Sequence, residues 1–275
     1  MTLLRLTSRL PRVGTTIFTV MSQLALKNGA VNLGQGFPDF NCDPVLQRHL
    51  EDAVRSGHNQ YAPMPGVPPL RAAIAAKNLT LYGHRYAADT EVTVTAGATQ
   101  AIMASVLALV HPGDEVIVLE PTYDSYVPSI ELAGGRPVYV PLDADNGYAP
   151  DWERIRAAIT PKTRLLMLNF PHNPTGRVLR PEDLVALERI VESTCVMVLS
   201  DEVYERLTYD GPIAPSFARI VENRDRLVVV NSFSKYFSMV GWRLGWLVAP
   251  ADQVRAVHAF GANMFLTAPS LSIAA

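Results

Sequence analysis

Residues 231–246 read NSFSKYFSMVGWRLGW and contain one lysine, Lys235, flanked by serines and aromatic residues. A lysine in such surroundings is partly removed from water, which lowers its pKa and leaves its amine free to react with carbonyl groups. Taken alone, Lys235 could equally be a surface lysine in a polar turn, because the pattern indicates a perturbed pKa without requiring it. The remainder of the chain has to decide between these interpretations.

Three residues near this lysine have the chemistry of a phosphate site. Ser232 and Ser234 offer hydroxyl donors, and Arg243 offers a guanidinium that suits phosphate oxygens. A second phosphate-binding pattern is GATQ at 97–100, where a strand, a glycine and a hydroxyl lead into a helix N-terminus. That glycine could also simply close a tight turn. A carbonyl-reactive lysine beside a phosphate clamp indicates pyridoxal phosphate as the cofactor.

Strands and helices alternate along most of the chain, and the strands are apolar runs such as RLLMLNF at 164–170. The sequence therefore predicts an α/β fold of three layers, with helices on both faces of a mostly parallel sheet. Thr122 is the predicted N-cap of the helix after the second strand. The other helices are predicted at 16–28, 44–56, 69–82, 97–110, 148–159, 181–192 and 252–266. Strands are predicted at 92–95, 114–120, 137–140, 164–170, 195–199, 227–230 and 245–249.

Four polar or aromatic residues follow predicted strands: Tyr123, Asn173, Asp201 and Lys235. The carboxyl ends of parallel strands meet at one edge of a sheet, so we expect these side chains to converge. A carboxylate at Asp201 would keep a pyridine nitrogen protonated, and Asn173 and Tyr204 could donate to the phenolic oxygen of the ring. Tyr123 could stack on the ring face. Taken alone, Asp201 is better explained as a helix N-cap before VYERL.

Composition excludes several classes of protein. The 275 residues are 48% hydrophobic and 18% charged, which excludes wholesale disorder. A net charge of −2 without a basic run disfavours nucleic acid as a partner, and no apolar run is long enough to span a membrane. Cys42 and Cys195 are too few for a disulfide framework and indicate a reducing compartment, so we expect a cytoplasmic protein.

The motifs together resemble the class I/II pyridoxal-phosphate aminotransferases, which have the aspartate aminotransferase fold (fold type I). The resemblance rests on GATQ at 97–100, PTYDSY at 121–126, NPTG at 173–176, SDEVYE at 200–205 and SFSKYFSMVGWRLGW at 232–246. Within the family the chain is most similar to methionine, glutamine and kynurenine aminotransferases. That narrower similarity rests on SRLPRVGTTIFTVMSQLA, NLGQGFPDF and NQYAPMPGVPPLR.

The resemblance implies a role for each matching residue. It makes Lys235 the catalytic lysine, which forms a Schiff base with the cofactor and moves the substrate proton. It makes Asp201 the partner of the pyridine nitrogen and Tyr123 the stacking aromatic. The implied contacts to the phenolic oxygen are Asn173 and Tyr204. The implied contacts to the phosphate are Ala98, Thr99, Ser232, Ser234 and Arg243.

Two further roles implied by the resemblance concern the subunit interface and the substrate. Tyr61 matches a tyrosine that reaches the phosphate of the neighbouring subunit's cofactor, so we expect a homodimer. Gly36 lies in the loop that contacts the substrate carboxylate. Two positions depart from the family pattern: Tyr236, where a small residue or threonine usually follows the lysine, and Val240, usually threonine or proline.

The N-terminal residues allow two interpretations. Residues 1–38 contain Arg5, Arg9, Arg12 and Lys27 but no acidic residue, as in a transit peptide. An N-terminal arm with a helix is the favoured alternative, because residues from Ser8 onward also match the family. The expected domains are therefore an arm and substrate loop at 1–40 and a large cofactor-binding domain at 41–275. The family's C-terminal small domain, with its carboxylate-binding arginine, is expected to be absent.

The resulting functional hypothesis is an aminotransferase that moves an amino group from a methionine-like or aromatic L-amino acid to a 2-oxo acid. Two alternatives remain open from the sequence. One is a carbon–sulfur β-lyase, which would use the same cofactor site. The other is a truncated family member without activity, since the small domain is expected to be missing.

Overall fold

The structure is a computed structural model and describes residues 7–11, 13–36, 38–219 and 224–275. The chain divides into two units, residues 1–40 and 41–275. Helix α1 (Ile17–Asn28) of the first unit starts where Thr16 accepts a hydrogen bond from the Thr19 N–H, and it ends at the left-handed Gly29. The predicted helix at 16–28 is thus confirmed. Arg5 and Arg12, named above as basic residues, lie outside the described residues.

Helices and strands alternate through the second unit. Its helices are α2 (Pro44–Arg55), α3 (Pro68–Tyr82), α4 (Ala98–Leu109), α5 (Tyr126–Leu132), α6 (Trp152–Ala157), α7 (Pro181–Ser193), α8 (Ala251–Met264) and α9 (Ser270–Ala274). Its strands are β1 (Val92–Thr95), β2 (Glu115–Glu120), β3 (Arg136–Pro141), β4 (Thr163–Asn169), β5 (Met197–Asp201), β6 (Leu227–Ser232) and β7 (Gly245–Val248). Prolines open α2, α3 and α7, where the missing N–H costs no helical hydrogen bond. No helix of the described residues is long and apolar enough to cross a membrane.

The strands form one sheet in the order β1-β7-β6-β5-β4-β2-β3. Strands β3, β2, β4, β5 and β6 are parallel, whereas β7 runs antiparallel to both of its neighbours. Alternate strand residues face opposite layers: Ile117 and Leu119 pack with α3, α6, α7 and α9, and Val116 and Val118 pack with α4, α5 and α8. Both hydrophobic clusters are buried, so the predicted three-layer, mostly parallel fold is confirmed.

Two predicted helices begin later than expected. Thr122 is not an N-cap, because residues 123–126 form a turn in which the Tyr126 N–H donates to the Tyr123 carbonyl at 3.2 Å, and α5 begins only at Tyr126. The helix predicted from Tyr148 begins at Trp152, because Tyr148 has a φ of 58° and Pro150 disfavours helical backbone at the residue before it. Asp151 then caps α6 by accepting from the Arg154 N–H.

Gly245 allows β7 to approach the start of α4. A Cβ at this position would lie 2.7 Å from the backbone nitrogen of Ala98 and 2.7 Å from the carbonyl carbon of Gly97. Such distances are too short for any side chain, and the neighbouring atoms are backbone that cannot rotate away. Glycine at 245 is therefore required for the packing of β7 against the N-terminus of α4.

We expect Gly245→Ala to lower the free energy of unfolding by about 1–3 kcal/mol, the usual cost of overpacking. Gly241→Ala is the matched control, since a Cβ at Gly241 would meet nothing within 4 Å. Urea denaturation followed by far-UV circular dichroism measures both changes. Equal stability of the two variants would contradict the tight approach of β7 to α4.

Candidate active site

The carboxyl ends of β4, β5 and β6 carry three of the residues predicted from the sequence. Asp201 is the last residue of β5 and lies beside Asn169, the last residue of β4, in the parallel pairing. The NPTG loop follows β4 and carries Asn173, and Lys235 follows the end of β6. The parallel register thus places these residues at one edge of the sheet.

The Asp201 carboxylate is buried and held by two donors. Its Oδ2 accepts from the Tyr126 hydroxyl at 2.6 Å, and its Oδ1 accepts from the Val203 N–H at 3.2 Å. Burial raises the pKa of Asp201 to about 6, although the Tyr126 and Val203 hydrogen bonds and the charge of Lys235 oppose the rise. The interpretation of Asp201 as a helix N-cap is wrong, because residues 203–206 form turns and no helix begins directly after Asp201.

Lys235 is half-buried and lies near one positive group, Arg243, and one negative group, Asp201. Loss of hydration lowers its pKa, the nearby Arg243 charge lowers it further, and Asp201 acts in the opposite direction. The Lys235 Nζ lies 5.7 Å from the centre of the Tyr204 ring. The lysine is therefore part of a site shared with Asp201, Tyr204 and Arg243, and not an isolated residue in a surface turn.

Asn173 and Tyr204 lie side by side at this edge. The Asn173 Nδ2 donates to the Tyr204 hydroxyl at 3.5 Å, and the Asn173 N–H donates to Asn169 Oδ1 at 2.8 Å. Burial, followed by the Asp201 charge, raises the pKa of Tyr204 to about 12, so its hydroxyl stays protonated at neutral pH. Tyr123 is half-buried and packs edge-to-face on Tyr126, with ring centres 5.6 Å apart.

Three of the residues predicted to bind phosphate, Ala98, Thr99 and Arg243, lie at the start of α4. Ala98 and Thr99 form its first turn, and no side chain caps this helix. Arg243 lies against Gly97, because a Cβ on Gly97 would come within 2.4 Å of the Arg243 Nη2. Gly97 has a φ of 82° and Arg243 a φ of 53°, which is a strained conformation for a residue with a side chain.

The two serines of the lysine segment form a small hydrogen-bonded pair below it. The Ser232 hydroxyl donates to the Ser234 Oγ at 2.9 Å, and the Ser234 N–H donates to the Ser232 Oγ at 3.0 Å. Ser232 also reaches the Leu244 carbonyl at 3.1 Å, which ties the segment to the residue after Arg243. These contacts hold the turn that carries Lys235 in a defined conformation.

The two remaining predicted residues are Tyr61 and Gly36. Tyr61 is 79% exposed in the segment before α3 and forms no hydrogen bond to the other predicted residues within the described part of the chain. Gly36 belongs to the first unit, residues 1–40. Sequence reasoning also missed Tyr126 and Asn169, both of which contact Asp201. Tyr126 was visible as the last letter of PTYDSY, and Asn169 as the polar residue ending an apolar strand.

A family model described as aminotransferase class I and II matches residues 28–275. The chain belongs to the class I and II aminotransferases. It is 46% identical over 253 residues to a probable N-succinyldiaminopimelate aminotransferase of Mycobacterium tuberculosis, covering 92% of this chain and 64% of that protein. It is 45% identical over 256 residues to the methionine aminotransferase of Escherichia coli, covering 92% of this chain and 66% of the relative. The chain thus spans slightly less than two thirds of these curated relatives.

The solved structures of aminotransferases have the same fold. A crystal structure of an Escherichia coli protein with a methionine aminotransferase function superimposes with a TM-score of 0.94 at 42% identity. The match covers 98% of this chain and 71% of that one. The resemblance to class I/II aminotransferases and to their fold is therefore confirmed.

Class I and II aminotransferases depend on pyridoxal phosphate, and the residues present fit this cofactor. The buried Asp201 carboxylate suits a protonated ring nitrogen, and the Lys235 amine with its lowered pKa suits the aldehyde. The uncapped N-terminus of α4 beside Arg243 suits the phosphate. A side chain on Gly97 would fill the space that the Arg243 guanidinium occupies, so this cradle exists only with glycine.

We expect Gly97→Ala to weaken the binding of pyridoxal phosphate by about tenfold or more, because displacing Arg243 removes a charge-assisted hydrogen bond. The left-handed φ also costs about 1–2 kcal/mol of stability. Gly113→Ala separates the two effects, since Gly113 has a similar φ of 91° but open space around its Cα. Fluorescence titration with the cofactor should find weaker binding in Gly97→Ala alone. Weaker binding in both variants would point to instability as the cause.

Proposed function

We propose that the chain acts as a pyridoxal-phosphate-dependent aminotransferase that moves an amino group from an L-amino acid to a 2-oxo acid. The observation that carries the proposal is the proximity of Lys235 to the buried Asp201 and the exposed Arg243 at the carboxyl ends of the parallel strands. Residues 41–275 would form the cofactor-binding domain. Residues 1–40 would supply an arm and, at Gly36, a loop that contacts the substrate.

Bound pyridoxal phosphate supplies a ring that accepts the electrons released when the Cα–H bond of the substrate breaks. The chain's residues would hold that ring and move the proton. Asp201 would keep the ring nitrogen protonated, Asn173 and Tyr204 would donate to the phenolic oxygen, and Tyr123 would pack on the ring face. The phosphate would be bound by the first-turn N–H groups of Ala98 and Thr99 and by the side chains of Ser232, Ser234 and Arg243.

Lys235 would accept the Cα proton at Nζ and later return a proton to the substrate-derived group. An amine accepts a proton only in its neutral form, and the lowered pKa of Lys235 increases that fraction near neutral pH. The same shift favours attack of the amine on a carbonyl carbon. The environment of Lys235 is therefore suited both to binding the aldehyde and to proton transfer.

We also propose a methionine-like or aromatic amino acid as the donor. Support comes from the Escherichia coli relative, a methionine aminotransferase 45% identical to this chain, and from an aromatic-amino-acid aminotransferase of Thermococcus litoralis at 37% identity. The Mycobacterium tuberculosis relative, 46% identical, is named for N-succinyldiaminopimelate, so the experiment that identifies the donor has to compare several amino acids.

The first experiment is to add pyridoxal phosphate to the wild-type chain, to Lys235→Ala and to Lys162→Ala. We expect a visible absorption band near that of a lysine–aldehyde adduct in the wild type and in Lys162→Ala, because Lys162 is an exposed lysine outside the site. Lys235→Ala should lack the band. Adding methionine, phenylalanine or aspartate to the wild type should then bleach the band, and the true donor should bleach it fastest.

The controls in this experiment separate specific from adventitious binding. A band that persists in Lys235→Ala would show that other lysines react with the aldehyde and would contradict the role of Lys235. A band that no amino acid bleaches would contradict amino-group transfer by this chain. Formation of pyruvate or ammonia from a cysteine conjugate, without transfer to a 2-oxo acid, would indicate elimination chemistry instead.

We further propose that the protein is a cytoplasmic homodimer in which Tyr61 reaches the partner's phosphate site. Support comes from the 79% exposure of this tyrosine, which leaves its hydroxyl accessible to a partner subunit. Its chemistry suits a phosphate oxygen, since the phenol is a hydrogen-bond donor. The unpaired state of Cys42 and Cys195 fits a reducing compartment.

Mixing Tyr61→Ala chains with Lys235→Ala chains tests the shared site. If Tyr61 acts on the partner, a mixed dimer contains one intact site, so about a quarter of all sites should regain activity after random reassociation. Sedimentation velocity checks that dimers form. No recovery in a mixture that contains mixed dimers would place Tyr61 in its own subunit's site, and a stable monomer with bound cofactor would contradict the dimer.

A further inference from the structure

Tyr126 contacts the candidate site through a hydrogen bond to which no function has been assigned. Its hydroxyl donates to Asp201 Oδ2 at 2.6 Å, across 75 residues of sequence. The residue is 3% exposed, and its ring packs in the hydrophobic layer of α4, α5 and α8. Such a buried, charge-assisted hydrogen bond has a short and well-defined geometry.

Three contacts hold Asp201, and they act on different atoms. Asn169 Nδ2 donates to the Asp201 backbone carbonyl at 3.0 Å, and the Val203 N–H donates to Oδ1 at 3.2 Å. The first fixes the main chain, and the second is a local turn contact two residues away. Among the described residues, Tyr126 is the one that joins the second carboxylate oxygen to another element, so it sets how the carboxylate plane is rotated.

The hydrogen bond from Tyr126 also stabilises the ionised form of the buried Asp201 carboxylate. Burial disfavours the ionised form of Asp201, whereas the Tyr126 hydroxyl favours it. Burial and the Asp201 charge raise the pKa of Tyr126 well above its ordinary value, so this hydroxyl remains a donor throughout the neutral range. Tyr126 therefore opposes the effect of desolvation on Asp201 throughout the neutral range.

We propose that Tyr126 is a positioning residue for the cofactor, whose hydroxyl holds the Asp201 carboxylate ionised and in one orientation toward the pyridine nitrogen. The inference rests on the proposed function, because Asp201 has this role only if the chain binds pyridoxal phosphate. Tyr126 itself touches Asp201 and not the reacting atoms.

The test measures the Kd of pyridoxal phosphate by tryptophan fluorescence between pH 5 and 7.5 for the wild type and Tyr126→Phe. The ring pairs best with an ionised Asp201, so wild-type binding should weaken as the pH falls through about 6. In Tyr126→Phe this midpoint should move to higher pH, and the Kd at pH 7 should increase about tenfold, the effect of one hydrogen bond to a charged group.

Tyr82→Phe is the matched control. Tyr82 is also a buried tyrosine whose hydroxyl donates to a buried carboxylate, that of Glu205, but it has no assigned part in the site. Its loss should leave both the Kd and the pH midpoint unchanged. A second control uses the cofactor analogue in which a C–H group replaces the ring nitrogen, and Tyr126→Phe should not weaken binding of this analogue.

A double-mutant cycle with Asp201→Asn completes the test. Once Asp201 cannot ionise, adding Tyr126→Phe should change the Kd less than twofold. An unchanged Kd and midpoint in Tyr126→Phe would overturn the inference, and so would equal weakening of cofactor and analogue, which indicates a structural role alone. If the wild type binds no cofactor, or Lys235→Ala keeps the absorption band, the proposed function fails first and the inference with it.

Discussion

A carboxylate buried at the end of a central strand is the constraint on which the candidate site depends. Taking a charge out of water costs several kcal/mol unless hydrogen bonds or an opposite charge compensate. Asp201 receives two hydrogen bonds to its oxygens and has a lysine nearby, yet its pKa remains raised. The protein alone does not fully compensate this charge. A cation placed beside Asp201 would, and a protonated pyridine ring is such a cation.

The position of this carboxylate follows from the pairing of β4 with β5. In that register Asn169 lies opposite Asp201, so the Asn169 amide can donate to the Asp201 carbonyl while its oxygen accepts from the Asn173 N–H. A shift of one residue would turn every side chain of β5 to the other face of the sheet. The apolar layers on both faces exclude such a shift, and the core therefore determines the geometry of the site.

The sequence was sufficient for the layers of the fold because their signal is local. Continuous apolar strands and helical periodicity are repeated through residues 41–275, and the strand-end rule correctly brought Asp201 and Lys235 together. The predicted starts of α5 and α6 are wrong because a few turn residues, Tyr123 and Tyr148 among them, determine where each helix begins. Tyr126 and Asp201 are 75 residues apart in the sequence, so no local sequence pattern predicts their contact.

The pKa values of Asp201 and Lys235 are shifted in directions that link the stability of the fold to cofactor binding. Asp201 has a folded-state pKa of about 6, above its ordinary value, so the folded chain binds this proton more tightly than the unfolded chain does. By linkage, the contribution of Asp201 to stability falls as the pH rises from 4 through 6, and the cost of its ionised form is fully present at neutral pH.

Lys235, with a lowered pKa, similarly favours its neutral form in the folded chain. Both groups therefore favour their neutral forms in the folded chain, and a cationic ligand that pairs with Asp201 would offset the cost of ionising it. Burial of Asp201 would in this way favour the binding of a ring that carries a proton on its nitrogen and an aldehyde within reach of the lysine.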